Sequence, residues 1–186
     1  MDLDKAIKSR KSAKKFKNKK PDWKDIIECV DSMRYAPMAG GNFSLKFIIV
    51  DDKEKIHKIA KAAQQNFISE ADYVLVVVSL GSRTTTSYGK RGEIYLRQQA
   101  GAAIQNFLLK IQEKGLATCW VGHFVENQIK RELKIPEDVS VEAVFPIGYT
   151  SPEIMKKEKK KISMDGVLYF NKYENKKMKR QREFSA

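Results

Sequence analysis

Residues 93–122 read EIYLRQQAGAAIQNFLLKIQEKGLATCWVG, and this stretch decides the fold. Ala100, Ala103, Ile104, Phe107, Leu108 and Ile111 recur at helical spacing, which predicts one long helix over 93–113 with a continuous apolar face. Gly101 and the alanines beside it leave room for another helix to come close. Gly115 supplies the C-terminal cap. The apolar run 117–121 that follows predicts a short strand.

Upstream of this helix, Tyr73 to Val78 form an unbroken apolar succession inside 72–80. A strand buried on both faces reads this way. A second strand is predicted over 47–50, and a helix over 53–63 carries Ile56, Ile59, Ala60 and Ala63 on one face. Earlier still, helices are predicted over 2–11 and from Pro21–Asp22 onward, where Trp23, Ile26, Ile27, Val30 and Met33 keep helical period. The basic segment 12–20 between them reads as a loop or short extended piece. Downstream, a helix over 126–133 precedes Pro136, and a further β pattern over 141–147 is interrupted by Pro146 and closed by Gly148. The Thr-rich piece 83–91 reads as a polar, mobile segment, and 167–173 as a last strand. Strands and helices interleave without internal repeat, so the expected fold class is α/β (α+β): a central, mostly antiparallel or mixed sheet flanked by helices. One domain is expected over 1–175, with a basic C-terminal tail over 176–186.

The 186 residues are 42% hydrophobic, a globular composition. No run approaches the roughly 20 apolar residues that span a bilayer, and the charged start lacks the apolar core of a secretory signal. A cytoplasmic protein with no membrane partner is expected. Cys29 and Cys119 are the only cysteines and His57 and His123 the only histidines, so neither a disulfide framework nor a metal site is expected. The net charge of +13 favours anionic partners. Nucleic acid is one, a phosphorylated cofactor another, and a Lys-rich solvated surface needs no partner at all.

Three segments could carry chemistry. Arg10, Lys11, Ser12, Lys14 and Lys15 combine a guanidinium fork, ammonium charges and a hydroxyl that together could hold a phosphate. Ala36-Pro37-Met38-Ala39-Gly40-Gly41-Asn42 joins backbone freedom to an amide side chain, although a plain helix-to-strand loop would look the same. Gly115 to Gly122 ends in backbone that could expose amides, with Trp120 and Cys119 inside it. A lone cysteine in an apolar strand is more often a small buried hydrophobe than a nucleophile. No Walker-type run, dinucleotide glycine fingerprint or catalytic triad is present.

Taken in order, these segments resemble the nitroreductase family of FMN-dependent oxidoreductases over roughly residues 3 to 165. The family's Arg-Arg-Ser-x-Arg-x-Phe pattern is similar to Arg10-Lys11-Ser12-Ala13-Lys14-Lys15-Phe16, and its Ala-Pro-Ser-Ala-Gly-Asn loop to residues 36–42. The Ala-x-Gln-Asn-Leu-Leu core of its central helix is met by Ala103-Ile104-Gln105-Asn106-Phe107-Leu108. Gly-Leu-Gly-x-x-Trp-x-Gly is met by 115–122 with Ala117 for the middle glycine, and Leu-x-Ile-Pro and Gly-Tyr by Leu133 to Pro136 and Gly148-Tyr149.

The resemblance implies a nitroreductase-like fold with the long central helix at a homodimer interface and FMN between the subunits. Arg10, Lys11, Ser12 and Lys14 would then grip the FMN phosphate and ribityl chain, with Lys160 in place of a family arginine. Pro37, Met38, Ala39, Gly40 and Asn42 would line one side of the flavin, and Trp120, Val121, Gly122 and His123 would approach its ring. No side chain would be catalytic, because the flavin N5 carries hydride from NAD(P)H to a small oxidised acceptor, nitroaromatic or quinone-like, in a ping-pong sequence. Lysines stand for arginines at 11, 14 and 160, Met38 replaces a small serine, and Gly41 is extra. Lysine is not equivalent to arginine in a bidentate phosphate contact. These departures keep open a flavin-binding protein without turnover, used in storage or sensing. Nucleic-acid binding is disfavoured because no zinc finger, flanked Gly-rich loop or basic repeat accompanies the charge.

Overall fold

The apolar run that opens at Tyr73 becomes the middle of a sheet. The computed structural model describes residues 1–156 and 162–178 and divides the chain into two compact units, Met1–Met155 and Lys156–Ala186. In the first, β1 (Leu45–Val50), β2 (Tyr73–Ser79), β3 (Ala117–Thr118) and β4 (Ser140–Gly148) form one antiparallel sheet in the order β1-β2-β4-β3. Leu45 faces Ser79 across the first pair, and Tyr73 faces Ile147 across the second, with a register shift between Val77 and Val78. All seven residues of β2 are buried.

Strand periodicity then splits the core in two. Leu75 and Val77, with Ala143, Phe145 and Ile147, join the cluster that holds Ile26, Met33, Ala103, Ile104 and Phe107. Val74, Val76 and Val78, with Val144, join the cluster that holds Ile56, Ile59, Ala63 and Ile129. One face of the sheet is therefore covered by α2 (Trp23–Asp31) and α5 (Lys90–Glu113), the other by α3 (Lys53–Ala63) and α6 (Glu126–Leu133). The rings of Phe107 and Phe145 meet edge-on at 5.4 Å, a contact worth about 0.5–1.5 kcal/mol beyond its buried area. Lys114, the C-cap of α5, bonds Asp25 at 2.9 Å and pairs with Glu28, tying that helix end to α2.

Caps set the helix starts. Asp2, Asp22 and Asp52 each accept a hydrogen bond from a backbone N–H in the first turn of α1 (Leu3–Ser9), α2 and α3. Gly115 has φ +68° just past α5, in the left-handed region a C-terminal cap requires.

Three expectations need correction. Residues 82–88, to which the sequence assigns no helix, form α4 (Ser82–Tyr88). Thr84 is buried, the Thr85 hydroxyl bonds back to the Gly81 carbonyl at 2.8 Å, and packing on α5 outweighs poor helix propensity. Pro146 does not break β4. Its neighbour β3 is only two residues long, and the Pro146 carbonyl takes the Thr118 hydroxyl at 2.7 Å. In the second unit 167–173 is not a strand. Val167 ends a short helix, α8 (Met164–Val167, after α7, Pro152–Lys156), and positive φ at Asn171 and Glu174 turns the chain back so that the Phe170 N–H reaches the Asn175 carbonyl. No helix among the described residues is long and apolar enough to cross a membrane.

Candidate functional site

After α1 the chain does not loop away. Ser12 bridges to Thr118 in parallel, the Ala13 N–H donates to the Thr118 carbonyl at 2.9 Å, and the Lys17 N–H donates to the Tyr149 carbonyl at 2.8 Å. The Thr150 hydroxyl donates to the Lys15 carbonyl at 2.9 Å. Ala13 is wholly buried beneath this stretch. The basic segment is thus an extended ribbon docked on the β3 edge of the sheet, and its alternation decides which side chains are free.

Arg10 and Lys11 are half-buried and Ser12 and Lys14 exposed. The Lys11 ammonium bonds the Met155 carbonyl, and that of Lys14 lies over the Phe67 ring at 5.4 Å. Among the described residues none of Arg10, Lys11 and Lys14 pairs with a carboxylate. Cations that carry no counter-charge on one short segment suit an anion.

The same edge carries the third segment. Trp120 is 44% exposed and tilts over Phe145 at 5.8 Å, so it is a surface platform rather than a core ring. Val121 is buried and exchanges both backbone hydrogen bonds with Val144 at 3.0 Å. That leaves Gly122 and His123 as the exposed pair beside Trp120. Cys119 is buried between the two segments. Burial pushes its thiol above its ordinary value, against the opposing charge of Lys14 and a hydrogen bond with Ser12. It remains a protonated packing residue.

The 37–42 loop is placed by a different part of the fold. Gly40 and Gly41 have φ +58° and +70°, and the Tyr88 hydroxyl of α4 occupies the space a Gly40 side chain would need. Gln99 of α5, 4% exposed, donates to the Asn42 carbonyl at 3.2 Å and accepts from the Ser44 N–H at 3.0 Å. The Ser44 and Thr84 hydroxyls meet at 3.0 Å. Pro37 and Gly40 stay exposed, and Met38, Ala39 and Asn42 half-buried. Among the described contacts none joins this loop to Ser12 and Trp120. Lys160 lies outside the described residues.

Gln99 is the residue that sequence reasoning missed. Its signal was present: it stands between Leu96 and Ala103 at helical spacing, so a polar side chain occupies a core-facing position of the long helix. The described residues hold no cluster of metal-ligating side chains.

Comparison with known proteins gives this arrangement a lineage. A protein of Methanocaldococcus jannaschii, provisionally named a nitroreductase, is 41% identical over 87 residues, which is 46% of this chain and 44% of that relative, less than half its length. Among solved structures, a nitroreductase family protein from Clostridium novyi is 28% identical at a TM-score of 0.76, covering 94% of this chain and 96% of its own. An FMN-dependent nitroreductase from Clostridium difficile shares the fold at a TM-score of 0.75 and 23% identity, covering 92% of this chain and 100% of its own. The sequence pattern of the nitroreductase family matches residues 7–72 and 59–149, which contain both the cation-rich ribbon and the Trp120 platform, and the chain belongs to that family.

Proposed function

We propose that this chain is a cytoplasmic FMN-dependent oxidoreductase that works as a homodimer. It takes reducing equivalents from NADH or NADPH and passes them to a small oxidised acceptor, a nitroaromatic or a quinone, each substrate using the site in turn. The observation that carries this reading is the ribbon of carboxylate-free cations docked by the Ser12–Thr118 bridge beside the exposed Trp120, Gly122 and His123.

The residues present fit FMN. Arg10 offers a planar fork, Lys11 and Lys14 point charges, and Ser12 a short hydroxyl, a donor set suited to a phosphate dianion. Trp120 offers an aromatic face, and the backbone N–H groups of Gly122 and His123 would supply donors where negative charge gathers on reduction. When bound, the flavin supplies the hydride chemistry at its N5, so no side chain of the protein need act as nucleophile.

Homodimerisation has its own support. Leu3 and Ile7 of α1, Trp23 and Ile27 of α2, and Tyr35 are large apolar side chains left 46–74% exposed. Leu3 and Tyr35 line a cleft of about 490 Å³ together with Leu109 of α5 and the charged Glu28, Asp31, Lys110 and Glu113. Several large apolar side chains left exposed on neighbouring helices suit a protein–protein contact. A site shared between protomers would also account for the separate placement of the 37–42 loop, which could then close on the phosphate-binding ribbon of the partner.

The test is a visible absorption spectrum after incubation with excess FMN and desalting. About one FMN retained per chain is expected, one full set of these segments serving one site, with bleaching by NADH or NADPH under anaerobic conditions. No retained flavin overturns the reading. Retained flavin that neither nucleotide bleaches replaces catalysis with storage or sensing.

A further inference from the structure

Two adjoining clefts share Asn42 and Arg83. One, of about 350 Å³, is lined by Asn42, Phe43, Ser44, Lys46, Leu80 and Arg83. The other, of about 390 Å³, opens between Asn42, Arg83, Thr86 and Ser87. Lys46 projects from the outer face of β1 because Leu45 and Phe47 turn to the core side. Arg83 stands on α4, and the Ser44–Thr84 hydroxyl pair holds that helix against the start of β1.

The charge around these clefts is segregated. Neither Lys46 nor Arg83 has a carboxylate partner among the described residues, whereas Lys53, Lys58 and Lys130 pair with Asp72, Glu54 and Glu126 at 2.9, 2.9 and 3.3 Å. The carboxylates of this region line a separate cleft of about 490 Å³ instead. Glu93, Asp138 and Glu142 stand there with Arg97, and Glu142 accepts from the Ser79 hydroxyl at 2.5 Å. Leu80 lines both, so one hydrophobic residue divides an acidic cleft from a cationic one. Phe43 adds an aromatic wall to the cationic side and packs edge-on against Phe47 at 6.2 Å.

We propose that Arg83 and Lys46 bind the carboxylate of an aromatic acid, whose ring lies against Phe43, so that the preferred acceptor is an anionic aromatic compound. This rests on the redox reading above, because Asn42 belongs both to this cleft and to the loop assigned to the flavin. A guanidinium takes a carboxylate with two parallel hydrogen bonds, which an ammonium alone cannot do. A cleft of this volume holds one substituted ring.

The test is calorimetric binding of 4-nitrobenzoate and of its neutral isostere 4-nitrobenzamide to the full chain in the presence of FMN. The acid is expected to bind about tenfold more tightly than the amide, the size of one charge-assisted hydrogen-bonded pair at a solvated site. Arg83→Gln is expected to remove that preference, and Lys46→Gln to reduce it. Both positions are exposed, so neither substitution threatens folding. Equal affinities in the parent protein overturn the proposal. So does a preference that survives Arg83→Gln but disappears in Arg10→Ala, which would put the anion on the cationic ribbon. Binding requires no electron donor and no turnover, so failure of flavin retention or reduction is seen separately from loss of the carboxylate preference.

Discussion

The ring of Phe16 lies across Gly148 so closely that a β-carbon there would sit 2.8 Å from Phe16 Cδ1 and 3.2 Å from Cγ. Phe16 ends the ribbon that carries Arg10, Ser12 and Lys14, and Gly148 ends the strand that Ala117 pairs with. The contact therefore fixes the cation-rich segment to the sheet. Gly148→Ala is expected to push the ring outward and cost about 1–3 kcal/mol, the usual penalty of overpacking. Urea denaturation would measure the loss, and flavin retention should fall with it. Combined with Phe16→Leu, the cost should be less than the sum of the two single changes, because both act on one contact. A strictly additive pair would sink this account.

Arg10 is the one arginine in the ribbon, beside Lys11 and Lys14. It is expected to dominate FMN binding, since a fork of donors meets a phosphate where the lysines offer single charges. Arg10→Ala should weaken FMN affinity by about tenfold or more, as loss of a charge-assisted contact does. Fluorescence titration of FMN reads this directly. Unchanged affinity would remove Arg10 from the phosphate site.

Gln99 holds the loop through two hydrogen bonds, to the Ser44 N–H and the Asn42 carbonyl. Gln99→Leu keeps the volume and deletes both partners. Leaving buried polar groups unpaired costs about 1–3 kcal/mol each. The thermal midpoint should drop, and amide exchange at Asn42 and Ser44 should quicken while exchange in β2 stays slow. Uniform quickening across the sheet would show instead that Gln99 supports the whole domain and not the loop.

These contacts also show what was legible in the sequence. The two-sided burial of Tyr73 to Val78, the face of Ala103, Ile104 and Phe107, and α3 and α6 were readable because each rests on local periodicity and a clear stop signal. The helix over Ser82–Tyr88 was not, since its cause is tertiary: Thr84 is buried against Ser44, forty residues away in the chain. The same holds for 12–17, whose extended form comes from partners at Thr118 and Tyr149. Residue types announced the cations and glycines of the site. The pairing that places Ser12 beside Cys119 and keeps the 37–42 loop with Gln99 depends on long-range register, which no window of sequence contains.

Gly92 makes the α4–α5 hairpin possible. A β-carbon there would lie 2.7 Å from the Thr84 carbonyl oxygen and 2.7 Å from the Thr85 Cα, and backbone cannot swing aside as a side chain can. Gly92→Ala should part the two helices even though alanine is the better helix former by about 1 kcal/mol. The expected result is net destabilisation together with loss of the carboxylate preference, because Arg83 rides on the displaced helix. Stabilisation by this substitution would show that the hairpin has slack.

Cys29 provides a pH test of the core. It is fully buried beneath α5, and burial pushes its thiol from 9.0 up to about 12, with Lys114 and Lys110 pulling the other way. The folded state thus holds the proton more tightly than the unfolded chain does. The stabilisation from this difference is complete below pH 9 and is lost as pH rises toward 12, since the unfolded chain gives up its proton first. Against Cys29→Ala, which removes the thiol, the stability advantage of the parent protein should shrink by about 2 kcal/mol between pH 8 and pH 10.5, at about 1.4 kcal/mol for each pH unit above 9. Other titrating groups are common to both proteins and cancel in the difference. Urea midpoints across that range would show the narrowing, and a constant gap would mean that water reaches the thiolate in the folded state.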